Sequence, residues 1–223
     1  MATTPSRSLP LDRDQVAQVA LDVLDDVGLD GLTVRRLAER LGVQAPALYW
    51  HFENKQDLLD LMAHAMTRPW LEALPESAAD RDWTEWLADV GRSYRALLLE
   101  HRDGARLVAS TRPLPDSLPL LDRCVAALEE ASGCSPAAAL QCLTAITAFV
   151  RGFVLDEAAE KVRIDDERGV AARGDEKQSG SERPASPPHL AAAIDAIGSP
   201  NGIETFEYGL RLLVDGIRIA LSR

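Results

Sequence analysis

The chain has 223 residues with 46% hydrophobic content, so it is long enough to bury a substantial core and ordinary in composition for a globular protein. Aromatic residues reach only 5%, which favours helices over sheets, and three cysteines without metal-ligand spacing exclude a disulfide framework and a cysteine metal site. The formal net charge of −11 argues against DNA binding unless basic residues are concentrated locally.

Residues 1–10 contain two prolines and no apolar run, so we expect a disordered N-terminus and no signal peptide. From Asp12, apolar residues recur at helical spacing as far as Val27, and Gly28 should end this first helix. We expect the first helix to support the pair of helices that follows it.

Residues 33–55 predict two short helices joined by a tight turn. Thr33 can cap a helix that turns Leu37 inward, and Gly42 lies where the chain must reverse. Pro46 fits the first turn of the next helix, where a missing N–H costs little. This arrangement is that of a helix-turn-helix, whose second helix lies in the DNA major groove.

The second helix of this segment is expected to bury Leu48 and to turn its other side chains outward as a rigid rod over residues 44–51. The outward set is Gln44, Ala45, Ala47, Tyr49, Trp50 and His51. The alternative is an ordinary core fragment, in which both large aromatic rings would be packed in the interior. Exposure of Tyr49 and Trp50 separates the two hypotheses.

Basic residues are concentrated in this same segment. Between Gly31 and Lys55 there are four basic residues and two glutamates, which leaves a local excess of two positive charges. Asn54 can cap a further helix that begins with Lys55, a favourable place to hold a phosphate. A small basic face on an acidic body can still dock on DNA.

The helix that begins at Asn54 should run to about Thr67, where Arg68-Pro69-Trp70 interrupts or kinks it. It should link the DNA-binding unit to the rest of the chain. Later helices are predicted at about 82–98, in the HRDGARL segment before Thr111, and at about 117–131, 135–155 and 203–221. No alternating strand pattern and no repeat is found, so the predicted fold class is all-α.

Residues 156–188 differ in character from the rest, because fifteen of these 33 residues are charged and none is aromatic. We expect a mobile surface loop or insert that either covers a site or has no role. The longest uncharged stretch, Ala137 to Val150, is about fourteen residues and too polar to span a bilayer. A cytoplasmic protein without a membrane segment is therefore expected.

The last predicted helix has two apolar faces. One face, expected in the core, carries Phe206, Leu210, Leu213, Val214 and Ile217. The other carries Gly209, Leu212, Gly216 and Ile219. We expect this second face to meet a twin subunit in a four-helix seam with the helix at 135–155; the alternative is a fully internal helix in a monomer.

These segments resemble the TetR family of transcriptional regulators. The stretch LTVRRLAERLGVQAPALYWHFENKQDLL is similar to the DNA-reading unit of that family. LLLEHRDGARLVASTRP (97–113) and ALQCLTAITAFVRGFVLDE (139–157) resemble the effector-binding domain of the tetracycline-repressor subgroup. The resemblance implies a DNA-binding domain at 11–68 and an effector-binding and dimerisation domain at 69–223. It implies a homodimeric repressor of a palindromic double-stranded DNA operator, released by a small-molecule effector, and no enzyme.

The resemblance also implies which residues face DNA. Phosphate contacts are assigned to Arg35, Tyr49, His51 and Lys55; base contacts are assigned to Gln44, Ala45, Pro46 and Ala47, with Trp50 among the DNA-facing set. Gln44 can read a base edge, whereas the three small residues suit thymine methyl groups. Ala45 stands where tetracycline repressors carry glutamine, so we expect a different operator.

Candidate effector-binding residues follow from the same resemblance. They are Leu71, Trp86, Val90, Tyr94, Val108, Thr111 and Phe149, with Asp156 supplied by the opposite subunit. Val108 replaces the histidine that ligates magnesium in tetracycline repressors, and Val90 replaces an asparagine that contacts the drug. We therefore expect no metal or cofactor and an effector more apolar than magnesium–tetracycline.

Two other classes of function stay open at this point. A helical carrier or enzyme could keep the fold without reading DNA, although the four histidines are scattered and no glycine-rich phosphate loop occurs. An activator or a ligand-independent architectural factor is also compatible with the sequence.

Overall fold

The structure is a computed structural model that describes residues 11–75, 82–172 and 187–222. Within these ranges the chain forms helices and no strand, so the all-α prediction is confirmed. The helices are α1 (Arg13–Gly31), α2 (Val34–Leu41), α3 (Ala45–Leu48), α4 (Lys55–Ala73), α5 (Trp83–Glu100), α6 (Gly104–Ala109), α7 (Leu118–Ser132), α8 (Pro136–Ala172), α9 (Pro188–Ile197) and α10 (Ile203–Leu221), with a 3-10 turn at Pro115–Ser117. The predicted disorder of residues 1–10 lies outside the described residues.

The chain divides into two compact units. The first contains residues 11–75 together with Ala96–Ala126, and the second contains residues 82–95 together with the described residues from Ala127 onward. The first unit therefore adds α6 and its flanking segments to the four N-terminal helices. The second unit is built mainly from α5, α8, α9 and α10.

The first helix shows how local sequence sets the beginning and the break of an element. Asp12 caps α1 because its carboxylate accepts a hydrogen bond from the Gln15 N–H at 2.7 Å. The Gln15 side-chain oxygen in turn accepts a hydrogen bond from the Asp12 N–H. Gly28 adopts φ 72° and ψ 172°, so the helix is broken there, as predicted, before a last turn to Gly31. Val16, Leu24 and their apolar neighbours are buried.

Helix α4 is longer than predicted. It passes through Pro69 and ends at Ala73, so of the two effects expected from Arg68-Pro69-Trp70, an interruption or a kink, the interruption is wrong. A proline inside a helix costs about 3 kcal/mol, which other contacts must offset. Leu71 and Leu74 are buried beyond the proline, and the Arg123 guanidinium of α7 donates to the Leu71 carbonyl at 2.6 Å. These long-range contacts hold the last turn.

Helix α8 is also longer than predicted, since it continues to Ala172. The mobile loop expected over 156–188 is therefore wrong for residues 156–172, while residues 173–186 lie outside the described part of the chain. Glu157 pairs with Arg95 of α5 at 2.7 Å, and Glu160 accepts from the Asn201 amide at 2.8 Å. Both contacts anchor the helix past the end of its apolar pattern. Helix α9 was not anticipated either; its proline start and alanine run suit a helix.

The core of the second unit lies between α5, α8 and α10. The Phe149 and Phe206 rings stack with centroids 5.8 Å apart, and the Arg95 guanidinium lies 5.1 Å from the Phe206 centroid. Phe206, Leu210, Val214 and Ile217 are buried, as predicted for one face of α10, and Leu213 is half-buried. Helix α10 spans the range predicted from the sequence.

The stretch Pro136–Ile164 of α8 is long and apolar enough, by length and composition alone, to cross a membrane, and an 18-residue window within it has a mean hydropathy of 1.7. It is longer than the fourteen-residue stretch seen in the sequence. Ile146, Val150 and Val154 are buried in the second unit, as in a core helix of a globular protein. Only 28% of that 18-residue window is buried within the chain.

One assignment on α10 is wrong. Gly209 was expected on the face that meets a twin subunit, but a Cβ built there would lie 2.7 Å from Phe149 Cζ of the same chain. The glycine therefore allows α8 and α10 to approach closely within one chain. Gly216, two turns later, has no atom of the described residues within 4 Å of such a Cβ and remains on the exposed face.

We predict that Gly209→Ala lowers the free energy of unfolding by roughly 1–3 kcal/mol, because the added methyl overpacks the Phe149 ring. Urea denaturation of the wild type and the variant measures this loss. In a Phe149→Ala background the methyl has no ring to meet, so the same substitution should cost nothing. An equal loss in both backgrounds would contradict the assigned contact.

Candidate nucleic-acid interface

Helices α2 and α3 are joined by a turn whose geometry follows from its residues. The Thr33 hydroxyl caps α2 by accepting from the Arg36 N–H at 3.3 Å. Gly42 adopts φ 68°, a left-handed conformation that glycine takes without strain, and the Val43 N–H then donates to the Ala38 carbonyl at 3.0 Å. Pro46 lies in the first turn of α3, as predicted.

Helix α3 is shorter than expected. It covers only Ala45–Leu48, and residues 49–51 continue as turns, so the rigid rod predicted over 44–51 is wrong in its length. The His51 and Phe52 N–H groups both point back to the Leu48 carbonyl, at 2.9 and 3.4 Å. Leu48 is fully buried and Phe52 is nearly so. The segment is therefore shaped by two buried anchors rather than by a long helix.

The aromatic side chains between these anchors face solvent. Tyr49 is 55% exposed and Trp50 is 90% exposed, so the alternative of a packed core fragment is wrong. The Tyr49 ring leans on Phe52 with centroids 6.0 Å apart. Gln44, Pro46 and Ala47 are exposed, whereas Ala45 and His51 are half-buried. A bare indole beside small exposed side chains is the kind of surface that a partner covers.

Phe52 was missed by the sequence reasoning. It follows Leu48 by four residues, the spacing at which two side chains share one helical face, and this was the available signal. Its burial fixes the direction in which Trp50 points outward. Phe52 therefore belongs to the interface as a support and not as a contact.

The charged residues next to α3 that were predicted to contact phosphates, Arg35 and Lys55, are exposed. Arg35 is exposed and pairs with Glu39 one turn away at 2.9 Å, a contact that raises the pKa of its guanidinium. An exposed ion pair of this spacing contributes only about 0.3–0.5 kcal/mol. Replacing Glu39 by a phosphate as the partner of Arg35 would therefore cost little free energy. Lys55 is exposed in the first turn of α4, which Asn54 caps by accepting from the Asp57 N–H at 3.0 Å. All nine residues predicted to face DNA lie on α2, α3, their flanks and the start of α4.

The residues predicted to bind an effector are divided between the two units. Leu71, Val108 and Thr111 belong to the first unit, and Trp86, Val90, Tyr94, Phe149 and Asp156 belong to the second. Trp86, Val90 and Tyr94 form a buried stripe at four-residue spacing on α5. Phe149 is half-buried in the aromatic cluster with Phe206, and Asp156 is exposed.

Two polar groups on this stripe differ in their hydrogen bonding. Burial raises the pKa of the Tyr94 hydroxyl, while its hydrogen bond with Arg151 opposes that rise. The Trp86 Nε1–H is buried and has no hydrogen-bond partner within the described residues. An unsatisfied buried donor costs roughly 1–3 kcal/mol, which an acceptor atom on a bound molecule would recover. Within the same ranges, no group of His, Cys, Asp or Glu is placed to hold a metal ion.

A row of polar residues on α4 was also missed from the sequence. The Gln56 amide donates to the Ser110 carbonyl at 2.8 Å, and His64 Nδ1 lies 2.9 Å from the Ser117 hydroxyl. Between them, the Arg112 N–H donates to the Asp60 carboxylate at 3.4 Å. These α4 residues are four apart and share one face, so α4 is attached along its length to the segment that follows α6.

Comparisons with known proteins agree with this geometry. Residues 17–62 match the family described as "Bacterial regulatory proteins, tetR family", and residues 74–221 match "Tetracyclin repressor-like, C-terminal domain". The tetracycline repressor protein class A from transposon 1721 of Escherichia coli is 43% identical over 208 residues, which cover 93% of this chain and 90% of that protein.

Solved structures of similar proteins cover almost the whole chain. A possible TetR family transcriptional regulator from Streptomyces coelicolor A3(2) matches with a TM-score of 0.74 and 38% identity, over 94% of this chain and 100% of the other. A TetR variant from Acinetobacter baumannii AYE in complex with minocycline matches with a TM-score of 0.68 and 34% identity, over 96% and 99%.

Proposed function

Because this chain belongs to the TetR family of bacterial regulatory proteins and carries a tetracycline-repressor-like C-terminal domain, we propose that it is a ligand-released repressor. The chain is a transcriptional regulator of the helix-turn-helix type; the proposal adds that it binds a palindromic operator as a homodimer in the cytoplasm and performs no catalysis. The observation that carries it is the exposed Trp50 on a helix-turn-helix whose anchors are buried.

Base reading is assigned to the start of α3. Gln44 can donate and accept at a base edge, and Ala45, Pro46 and Ala47 offer small apolar surfaces to thymine methyl groups. Each good contact discriminates between bases by roughly 1–3 kcal/mol. So few contacts give modest specificity in one copy, which favours two copies reading half-sites about 34 Å apart.

Phosphate contacts are assigned to residues around the reading helix: Arg35, Tyr49, His51 and Lys55. These contacts fix the position of the helix-turn-helix along the duplex, and they make the affinity for DNA fall as the salt concentration rises. The whole chain has a net charge of −11 although residues 31–55 carry an excess of two positive charges, so the acidic excess lies in the rest of the chain. An acidic body repels DNA generally, so binding is favoured only where the basic face meets the groove.

The proposed homodimer is supported by stripes on two helices of the second unit that are exposed among the described residues. On α10 the exposed stripe is Tyr208, Leu212, Gly216 and Ile219; on α8 it is Gln141, Thr144, Ala148 and Gly152. Glycines and alanines in such stripes let helices of two subunits approach closely. The small buried share of the apolar α8 stretch is explained in the same way, because a twin subunit covers the rest.

The proposed effector is a small, mostly apolar molecule bound by the α5 stripe and by residues of α6 and α8. Val90 and Val108 offer no ligand to a metal and no amide to a drug, so a magnesium complex has little to bind. The orphan Trp86 N–H favours an effector with one acceptor oxygen. Displacement of α6 would be passed to α4 through Gln56, Asp60 and His64. A coupling of a few kcal/mol suffices to release DNA.

We predict that Trp50→Ala weakens binding to the operator at least tenfold and leaves the free energy of unfolding unchanged within about 0.5 kcal/mol, because the indole is exposed. Fluorescence anisotropy on the DNA upstream of the protein's own gene, at several salt concentrations, measures the affinity. Leu118→Ala is the matched control, since Leu118 is also exposed and in the first unit but lies on α7. Absence of any sequence-specific binding by the wild type would favour a helical carrier.

We predict that Leu212→Glu converts the dimer to a monomer, because it places a charge in the centre of the proposed apolar seam. Sedimentation velocity should show the change in mass, and operator affinity should fall more than tenfold. Leu118→Glu, an equally exposed position outside the seam, should stay dimeric. A Leu212→Glu variant that remains a dimer would rule out this seam.

We predict that tetracycline with magnesium does not quench the tryptophan fluorescence of the wild type in a saturable way at micromolar concentrations. The double variant Val90→Asn and Val108→His should gain magnesium-dependent quenching, because it supplies an amide and an imidazole ligand. Saturable, magnesium-dependent quenching of the wild type would show that the missing histidine is not needed.

A further inference from the structure

The turn between α5 and α6, residues 101–103, lies against the break in α1. The Leu29 N–H, which directly follows the break at Gly28, donates to the Asp103 carboxylate at 2.8 Å. A Cβ built on Gly28 would lie 3.0 Å from that same carboxylate oxygen. Gly28 therefore provides both the left-handed backbone and the space in which Asp103 caps the last turn of α1.

Asp25, one turn earlier on α1, holds the same turn. One carboxylate oxygen accepts from the Arg102 N–H at 2.8 Å, and the other lies 2.8 Å from His101 Nδ1. The Arg102 side chain donates to the Asp26 carbonyl at 3.3 Å. A carboxylate that accepts two hydrogen bonds fixes its helix more firmly than one flexible ion pair would.

These contacts continue into the helix-turn-helix. The Asp26 carboxylate pairs with Arg40 of α2. Polar contacts therefore run from the α5–α6 turn, through α1, to the first helix of the reading unit. We call the set formed by Asp25, Asp26, Asp103 and the α5–α6 turn the α1 clasp.

The contacts of the clasp region differ in strength. The pair between Arg106 and Asp30 is open to solvent, with the Asp30 side chain 85% exposed, and such pairs contribute little. Asp103 is only 22% exposed and His101 only 19%. Asp103 also has φ 59°, the one positive value of a non-glycine residue within the described ranges. A strained backbone of this kind persists when surrounding contacts determine it.

We propose that Asp103 and Asp25 are positioning residues that fix the angle of α1, and through α2 the angle of the reading helix, so that the dimer accepts only one half-site spacing. The inference rests on the proposed function, because a half-site spacing exists only for a dimer on a palindrome. It adds a second set of contacts, between α1 and the α5–α6 turn, that holds the helix-turn-helix in place. This set is separate from the contacts along α4. Neither residue touches DNA in this assignment.

Three variants test the proposal. Asp103→Gly removes the carboxylate and keeps a residue that adopts positive φ without strain. Asp25→Ala removes both acceptors at an exposed position of α1 and leaves a strong helix former. Asp30→Asn is the matched control, since it weakens only the exposed pair with Arg106. Thermal unfolding by circular dichroism first establishes that each variant is folded.

The experiment uses the full chain and duplexes selected from a random pool by the wild type. Palindromes are then made with one or two base pairs inserted or removed between the half-sites, together with a duplex that carries a single half-site. Fluorescence anisotropy gives the affinity for each. We expect Asp103→Gly and Asp25→Ala to lose about tenfold of the discrimination between the selected spacing and the altered spacings. Their affinity for the single half-site should stay within about twofold of the wild type.

Other outcomes are decisive. An unchanged spacing profile in folded Asp103→Gly and Asp25→Ala overturns the proposal, as does a change of the same size in Asp30→Asn. An equal loss on the palindrome and on the single half-site would show general damage to the reading unit and also overturns it. If the wild type selects no duplex, the proposed function itself fails, and this result appears before any variant is compared.

Discussion

The interface depends on one local constraint, the burial of Leu48 and Phe52 on either side of an exposed Trp50. One turn of helix is not stable by itself, because nucleation costs more than its few hydrogen bonds return. Each buried anchor contributes roughly 1.5–3 kcal/mol, enough to hold the segment in one shape. The outward direction of the indole is therefore a consequence of what is packed beneath it, and rigidity comes from the core of the first unit.

The second unit differs from the first, because its helices carry apolar residues that stay exposed among the described residues of the chain. On α10 a buried stripe alternates with an exposed one, where Leu212 and Ile219 are both more than half exposed. Gly209 and Gly216 look equivalent in the sequence, yet among the described residues a Cβ on Gly209 would meet Phe149 and one on Gly216 would meet nothing within 4 Å. One glycine thus serves the packing of α8 on α10, and the other is left for the surface that we assign to a twin subunit.

Features with local causes could be predicted from the sequence, and features with distant causes could not. The caps at Thr33 and Asn54 and the reversal at Gly42 depend on residues within four positions, so their signals are complete in a short stretch. The persistence of α4 past Pro69 depends on α7, and that of α8 past residue 155 depends on α5 and the segment before α10. The predicted length of α3 was wrong for the same reason, because the buried side chains of Leu48 and Phe52 hold residues 49–51 in place without a continued helix. DNA-facing and effector-facing roles came from resemblance and remain proposals.

The attachments of α6 constrain how the reading unit can move. Residues flanking α6 form hydrogen bonds with α4 along one face, and the turn before α6 accepts a hydrogen bond from the Leu29 N–H of α1. Helix α1 packs against both α4 and α2, and α2 packs against α3, with buried apolar side chains on all four helices. A shift of α6 therefore acts on α1 and α4 together, and two helices that are tightly packed against each other do not deform separately. If the chain acts as proposed, we expect the whole reading unit to rotate with its internal geometry preserved, so that an effector would change the spacing of the two helix-turn-helix units of the proposed dimer and leave the chemistry of each one intact.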